Sequence, residues 1–355
     1  MQAEHLQMTL KIVSLVPLPT ADATRIRTEF PQAELLDAGG WFDGEYARTW
    51  PAATIRRYVA GQGQGTRAER DALLASADIV IAGFPFPLDL VARAPQLRWM
   101  HQTPAGASNL RQGDIWEAGV TVTTSRGHGE TTAIAEYAMS GLLYFLKGFD
   151  RATLDKAGGA FNHREYRARC AEGKTLCVVG AGGIGREVAR LGAGLGMRVV
   201  GTRRNTTRGP QDEVFETLAS PVELHALLAV SDLIAICCQW TSQTSDLIGP
   251  AAFNAMQQDA ILVNVARGEI IDEKALLDAL NAGKVRGAAL DVYVGEFEST
   301  PPSALWQHPQ VLITPHTSGQ TDQTRRRSTD VFCDNLKLFM SNEKLRYEVD
   351  WTLGY

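Results

Sequence analysis

Three residues whose side chains could carry acid–base chemistry each follow a strand-like run in the second half of the chain. Arg267 and Glu296 are 29 residues apart, and His316 follows after 20 more. Histidine titrates near neutral pH, a carboxylate on its second ring nitrogen favours the charged ring, and arginine is always charged. Each residue alone would be an ordinary surface or structural group. Together at the ends of parallel strands, where ligands bind, they predict a site that transfers a proton beside an anionic substrate.

The elements that must position these residues alternate between strand and helix. The strand-like runs of this region are 176–179, 198–201, 233–238, 260–265, 287–291 and 311–314. Six parallel-type strands with intervening helices, such as 183–195 and 272–282, are typical of a doubly wound dinucleotide fold. Earlier strand-like runs lie at 10–16, 78–82 and 97–102, with a helical segment at 68–76. We predict one helix over 130–149 at the domain junction and a closing helix over 321–339.

A glycine-rich turn connects the first of the six strands to a helix. Its residues Gly180, Gly182, Gly183, Ile184 and Gly185 form a G-x-G-x-x-G pattern in the strand, turn and helix context that the motif requires. The glycines allow a tight turn, close approach of a pyrophosphate and close packing of helix on strand. The helix N-terminus then offers N–H groups and a positive dipole end to phosphates. The turn therefore predicts dinucleotide binding.

The second strand of this region ends in an arginine pair, Arg203 and Arg204. An acidic residue at this place would bind the ribose 2′-hydroxyl and select NAD. Guanidinium groups suit a 2′-phosphate instead, because their forked donors match its oxygens. We therefore predict a preference for NADP(H), with NAD(H) still possible; a solvated basic loop is the alternative.

Composition excludes several other classes of protein. The chain has 45% hydrophobic and 21% charged residues and a formal net charge of -5, which is typical of a globular protein without a field that attracts nucleic acid. No apolar run is long enough for a membrane span, and five cysteines form no metal or disulfide pattern. Seven scattered histidines without an HExxH motif predict no metal site. We expect a cytoplasmic protein without nucleic-acid or membrane partners.

Four motifs in order resemble the D-isomer-specific 2-hydroxyacid dehydrogenases, the family of phosphoglycerate dehydrogenases and glyoxylate/hydroxypyruvate reductases. They are the glycine turn, Asn264–Asp272, Ala288–Glu296 and Ile313–Gly319. The resemblance extends over essentially the whole chain. It implies two doubly wound parallel-sheet α/β domains, with a Rossmann cofactor domain (127–317) inserted into a discontinuous, flavodoxin-like substrate domain (1–126 plus 318–355). A homodimer is the family-based expectation for assembly.

The resemblance also implies roles for single residues. Arg267 would hold the substrate, His316 would act as acid and base, and Glu296 would be its partner. The substrate carboxylate would lie on backbone N–H groups of the loop Ala105, Gly106 and Ala107. Further cofactor contacts are implied at Val265, Ala266, Arg267, Asp291, His316, Ser318 and Gly319. Asp291 would bind the carboxamide of the nicotinamide, and a helix-capping role is its alternative.

The predicted reaction is hydride transfer from NADPH to a small 2-keto acid such as glyoxylate or hydroxypyruvate, catalysed by an oxidoreductase acting on the CH–OH group. Two alternatives remain open: a corepressor-like protein of the same fold that senses NAD(H), and an NAD-linked relative that oxidises a hydroxy acid or phosphite. The chain departs from the family at Gly295-Glu296-Phe297, where Pro-Glu-Pro is more usual, so this loop is expected to be looser.

Overall fold

The structure, a computed structural model of the chain, describes residues 9–39, 44–59, 65–126, 130–161, 163–322 and 324–352. The chain divides into two compact units, Met1–Glu130 with Asp322–Tyr355, and Thr131–Thr321. The predicted domain limits at 126/127 and 317/318 stay a prediction, and the first of them adjoins residues 127–129, which lie outside the described ranges.

The first unit contains an all-parallel sheet in the order β2-β1-β3-β4-β5. This is the flavodoxin-like strand order that was predicted. Its strands are β1 (Leu10–Ser14), β2 (Ala33–Asp37), β3 (Ile79–Ala82), β4 (Trp99–Gln102) and β5 (Thr121–Thr124). The helices between them, within the described residues, are α1 (Thr20–Glu29), α2 (Glu45–Thr49), α3 (Ala52–Tyr58), α4 (Arg67–Leu74) and α5 (Leu90–Arg93). Strands β2 and β5 were not predicted, because β5 has a single apolar residue and the two leucines of β2 lie between acidic residues.

The second unit contains a parallel sheet of seven strands within the described residues, in the order β12-β11-β10-β9-β6-β7-β8. From β8 inward, the strands follow the 3-2-1-4-5-6 order of a Rossmann fold, and β12 extends the sheet at the far edge. The predicted Rossmann fold is confirmed. The strands are β6 (Thr175–Val179), β7 (Arg198–Thr202), β8 (Thr217–Ala219), β9 (Leu233–Ile236), β10 (Ala260–Asn264), β11 (Val285–Leu290) and β12 (Val311–Ile313). The sequence predicted six of these and missed β8, a three-residue edge strand too short to show a period.

The helices of the second unit cover its sheet. They are α6 (Thr131–Leu146), α7 (Phe149–Gly158), α8 (Gly183–Gly194), α9 (Leu224–Leu228), α10 (Pro250–Ala255), α11 (Glu273–Asn281) and α12 (Ser303–Trp306). The last helix, α13 (Thr324–Met340), returns to the first unit. The predicted helix over 130–149 corresponds to α6, which ends at Leu146. Gly148 adopts φ +74 and separates it from α7, a helix that was not predicted.

Central strands of the second sheet lie entirely in the core. Strands β6, β9 and β10 are buried at every residue, as expected for parallel strands with helices on both faces. Polar side chains can therefore meet a ligand only where these strands end, which is where the predicted site residues follow. None of the helices in the described ranges combines the length and apolar character needed to cross a bilayer.

A fully buried histidine lies on β4 of the first unit. His101 has no exposed surface, and its Nδ1 lies 2.9 Å from Thr123 Oγ1, which also accepts a hydrogen bond from Trp99 Nε1. Its Nε2 has no hydrogen-bond partner among the described residues. Burial lowers the pKa of His101 to about 3 from an ordinary value of 6.5, because a charged ring would lose its hydration.

This histidine is expected to make the first unit sensitive to acid. The unfolded chain binds a proton at His101 below pH 6.5, whereas the folded chain does not until about pH 3, so stability is lost as pH falls through that window. Between pH 7 and pH 5, the free energy of unfolding of His101→Gln should fall by about 2 kcal/mol less than that of the wild type. Urea unfolding at both pH values measures this difference. A His225→Gln control, at an exposed site, should keep the wild-type pH dependence.

Candidate active site

The glycine turn between β6 and α8 has the shape of a dinucleotide-binding loop. Gly180 adopts φ +99, and a Cβ there would lie 2.6 Å from the backbone of Cys238, two residues beyond the end of β9. A Cβ on Gly185 would overlap the carbonyl oxygen of Gly180. A Cβ on Gly182, in contrast, would meet no other atom of the described chain within 4 Å. The turn is thus packed on its inner side and open at Gly182.

The start of α8 fits a bound pyrophosphate. Gly182 is the N-cap residue and, having no side chain, makes no capping hydrogen bond to the first turn. The N–H groups of that turn, at Gly183, Ile184 and Gly185, are therefore left to other acceptors, and the dipole of a 12-residue helix adds positive potential there. An anionic group of the size of a diphosphate fits these donors.

Arg267 lies in a turn that follows β10. The buried side chain of Asn264 holds this turn from both sides: its Nδ2 donates to the carbonyl of Arg267 over 2.8 Å, and its Oδ1 accepts from the N–H of Ala266 over 3.0 Å. The half-buried guanidinium of Arg267 donates from Nη1 to the carbonyl of Ala266. Val265 and Ala266 are buried beneath the turn. The sequence Asn-Val-Ala-Arg thus fixes the backbone from which the guanidinium extends.

The next residue, Gly268, brings this turn against the loop that carries Glu296. A Cβ at Gly268 would overlap the backbone of Tyr293 and Val294. Arg267 and Glu296 also act on the same neighbouring carboxyl group, that of Glu269. Burial is the main cause that raises the pKa of Glu269; the charge of Glu296 raises this pKa further, and the charge of Arg267 lowers it. The Arg-Gly pair therefore places the guanidinium in the neighbourhood of Glu296.

Glu296 and His316 form the hydrogen-bonded pair that the sequence predicted. His316 Nδ1 lies 3.1 Å from Glu296 Oε1. The glutamate side chain is only 4% exposed, whereas the imidazole is 28% exposed. A carboxylate accepts, so Nδ1 carries the hydrogen, and Nε2 is left to face a substrate. Phe297 belongs to the Gly295-Glu296-Phe297 loop. Its ring lies beside the imidazole of His316, with 6.1 Å between the ring centroids.

Asp291 holds the backbone around His316. Its buried carboxylate accepts hydrogen bonds from the backbone N–H groups of Thr317 (2.7 Å) and Ser318 (2.8 Å). Its own carbonyl accepts from the N–H of His316 over 2.9 Å. His316 adopts φ +56, an uncommon conformation for a residue with a side chain, and these bonds maintain it. Asp291 is therefore a positioning residue, and its role at the carboxamide stays a prediction.

Two residues that the sequence did not single out extend this arrangement. Thr314 Oγ1 donates to Asp291 Oδ1 over 2.6 Å, so it must accept from the hydroxyl of Tyr137 on α6, 2.5 Å away. Burial is the main cause that raises the pKa of Tyr137 to about 12, so its hydroxyl remains a donor. Tyr137 precedes Thr314 by 177 residues, and no local pattern signals such a pair.

The two arginines that follow β7 have different surroundings. The guanidinium of Arg203 forms a two-pronged ion pair with the buried carboxylate of Asp212. Arg204 is exposed. The predicted contact of either residue with a 2′-phosphate stays a prediction.

The predicted substrate loop belongs to the first unit. Gln102, at the end of β4, donates to the carbonyl of Gly106, and it exchanges two hydrogen bonds with Asn109. These buried amides hold the backbone of Ala105, Gly106 and Ala107 in a fixed turn. Binding of a carboxylate by this turn stays a prediction.

A Rossmann unit with a hydrogen-bonded histidine–glutamate pair after its strands defines the class of dinucleotide-fold proteins. A statistical model of the family described as D-isomer specific 2-hydroxyacid dehydrogenase, NAD binding domain, matches residues 139–318. A glyoxylate reductase of Korarchaeum cryptofilum is 32% identical over 266 residues, covering 73% of this chain and 78% of that protein. The chain belongs to the D-isomer-specific 2-hydroxyacid dehydrogenase family.

Other relatives differ in length and in name. A D-3-phosphoglycerate dehydrogenase of Methanocaldococcus jannaschii is 28% identical over 284 residues, covering 78% of this chain and 52% of that protein. The chain thus spans about half the length of the phosphoglycerate dehydrogenases it matches. A solved D-isomer specific 2-hydroxyacid dehydrogenase family protein from Aeromonas salmonicida shares the fold, with a TM-score of 0.78, 24% identity and coverage of 97% of this chain and 99% of that chain.

Proposed function

We propose that this chain is an NAD(P)-dependent 2-hydroxyacid dehydrogenase that reduces a small 2-keto acid, with glyoxylate or hydroxypyruvate as the favoured substrates and NADPH as the favoured cofactor. The observation that carries the proposal is the His316–Glu296 pair, 3.1 Å apart, which follows strands of the same parallel sheet whose β6 leads into the glycine turn. The name of the glyoxylate reductase relative supports the choice of substrate.

His316 performs the proton transfer in this proposal. Reduction of a keto group requires a proton at the carbonyl oxygen, and an imidazolium can donate it from Nε2 because Nδ1 is bonded to Glu296. The buried carboxylate accepts the hydrogen of Nδ1 and thereby fixes the orientation of the ring. In the reverse direction, the neutral ring accepts the proton of a hydroxy acid. The exposed fraction of the imidazole, 28%, leaves it accessible to a substrate.

Arg267 binds and polarises the substrate in this proposal. A guanidinium stays charged at every working pH, and its fork matches the carboxylate of a 2-keto acid. The turn held by Asn264 orients it. Binding of a substrate carboxylate by the backbone N–H groups of Ala105, Gly106 and Ala107 in the first unit is a separate part of the proposal.

The cofactor would be held by the residues whose geometry fits it. The α8 N-terminus would bind the pyrophosphate, and Val265 to Arg267, Asp291 and the segment from His316 to Gly319 would hold the nicotinamide half. The nicotinamide, when bound, supplies the hydride for C2 of the keto acid. Arg203 and Arg204 support NADPH by their place after β7, where the ribose is recognised.

A panel assay tests the proposal. Purified protein is mixed with glyoxylate, hydroxypyruvate, pyruvate, 3-phosphohydroxypyruvate or 4-methyl-2-oxopentanoate, and the loss of absorbance of NADPH or NADH is followed. Turnover of a small keto acid, faster with NADPH, is expected. Tight dinucleotide binding without turnover of any keto or hydroxy acid would favour the sensor alternative instead. Oxidation of phosphite or of a hydroxy acid with NAD⁺, without reduction of keto acids, would favour the alternative of an NAD-linked oxidising relative. Assembly as a homodimer and a cytoplasmic location stay predictions.

A further inference from the structure

The guanidinium of Arg203 has no hydrogen-bonding capacity left in this structure. Its Nε donates to the carbonyl of Asn205 over 2.5 Å. Its Nη1 donates to Asp212 Oδ1 (3.0 Å) and to the carbonyl of Ala181 (3.4 Å), and its Nη2 donates to Asp212 Oδ2 (3.0 Å) and to the carbonyl of Thr207 (2.7 Å). An arginine side chain has five N–H donors, and all five are used. A further acceptor could bind only by displacing one of these partners.

Asp212 is the charged partner among them. Its side chain is buried, and it also accepts from Arg186 Nε on α8 (2.7 Å) and from the backbone N–H of Gly209 (2.9 Å). Hydrogen bonds from Arg203, followed by those from Arg186, hold the pKa of Asp212 well below its usual range. The carboxylate is therefore a permanent anion, placed in the fork of the arginine that follows β7.

A carboxylate and a phosphate make the same two-pronged contact with a guanidinium. Arg203 stands at the strand end where a dinucleotide fold recognises the 2′ position of the ribose. We propose that Asp212 is an internal competitor of the 2′-phosphate for Arg203 and thereby limits the preference of this protein for NADPH over NADH. The inference rests on the proposed function, since it assumes that a dinucleotide binds at the Gly180 turn.

The surrounding charges support competition. Arg186 and Arg203 share the single charge of Asp212, and Arg204 and Arg208 add two more cations within five residues of Arg203. Without the Asp212 charge, no carboxylate would neutralise the fork in the present geometry of the described residues, and a 2′-phosphate could bind it. Because charge-assisted bonds to a guanidinium are the strong ones, the NADP affinity relative to NAD should rise about tenfold.

The test compares Asp212→Asn with a matched control, Glu213→Gln. Both variants remove one negative charge from neighbouring positions, but Glu213 is exposed and Asp212 is buried. Dissociation constants of NADP⁺ and NAD⁺ are measured by calorimetry for the wild type and both variants. The ratio Kd(NAD⁺)/Kd(NADP⁺) is expected to increase about tenfold in Asp212→Asn and less than about twofold in Glu213→Gln. A gain in affinity cannot result from misfolding.

Other outcomes overturn the proposal. An unchanged or lower ratio in Asp212→Asn would show that the carboxylate positions Arg203 rather than competes for it. An equal rise in Glu213→Gln would show a general charge effect. If Asp212→Asn does not fold, Asp212→Ser gives the same test, because its hydroxyl can still accept from the N–H of Gly209. Failure of the wild type to bind either dinucleotide would overturn the proposed function, whereas binding of both with an unchanged ratio removes only the competition.

Discussion

Replacement of His316 by alanine is expected to lower kcat for reduction of glyoxylate or hydroxypyruvate by about 10²–10⁴-fold, the usual contribution of general acid catalysis. The carbonyl oxygen would lose its proton donor, while the glycine turn and α8 would be unchanged. The dissociation constant of NADPH should therefore stay within about threefold of the wild-type value. Stopped-flow reduction and fluorescence titration measure the two quantities.

Two further variants make this experiment specific. Glu296→Gln removes the charge beside Nδ1 and keeps the shape of the side chain, so it should lower kcat less than His316→Ala does. His225→Gln, on the exposed surface of α9, should have wild-type kcat. Wild-type turnover by His316→Ala would exclude the proposed proton transfer.

Replacement of Arg267 by alanine is expected to lower kcat/KM for the keto acid by about 10²–10³-fold, since a charge-assisted fork to the substrate carboxylate is lost. Arg267→Lys restores the charge without the planar fork, so it should recover only part of that loss. The wild-type turn should persist in both variants, because Asn264 bonds the backbone of the turn and not the guanidinium. Steady-state kinetics over a range of keto-acid concentrations measures the effect.

The control for this pair is Arg198→Gln. Arg198 lies at the start of β7, where its exposed side chain pairs with Glu216, so its loss should leave kcat/KM unchanged. If Arg267→Ala kept the kcat/KM of this control, Arg267 would have no part in substrate binding. If Arg267→Lys matched the wild type, the positive charge alone would suffice and the fork would have no role.

Much of this arrangement could be predicted from the sequence, because it depends on strand ends. In a parallel sheet, residues that follow neighbouring strands meet at one edge whatever their separation along the chain. Glu296 and His316 meet in this way, and the glycine turn lies between the strand and helix that its spacing predicts. Both sheets are parallel, as predicted for two doubly wound domains.

Contacts between side chains of irregular segments could not be predicted in this way. Asp212 lies in a short turn without periodicity, and nothing in the sequence indicates that it is buried or that it fills the fork of Arg203. The contact of Thr314 with Tyr137 likewise depends on how α6 packs on the sheet. Such contacts determine which partner a charged side chain binds in the folded protein.

The left-handed backbone of His316 has a consequence for the stability of the whole unit. A side chain in this conformation costs about 1–2 kcal/mol relative to glycine, which adopts it freely. A folded domain commonly has a margin of only about 5–15 kcal/mol, so this is a sizeable fraction. The proposed acid–base residue thus occupies a position where the most stable sequence would have no side chain at all. Substitution of His316 by glycine would therefore be expected to raise thermal stability and to lower the proposed turnover, so this position is unsuitable for stabilising substitutions.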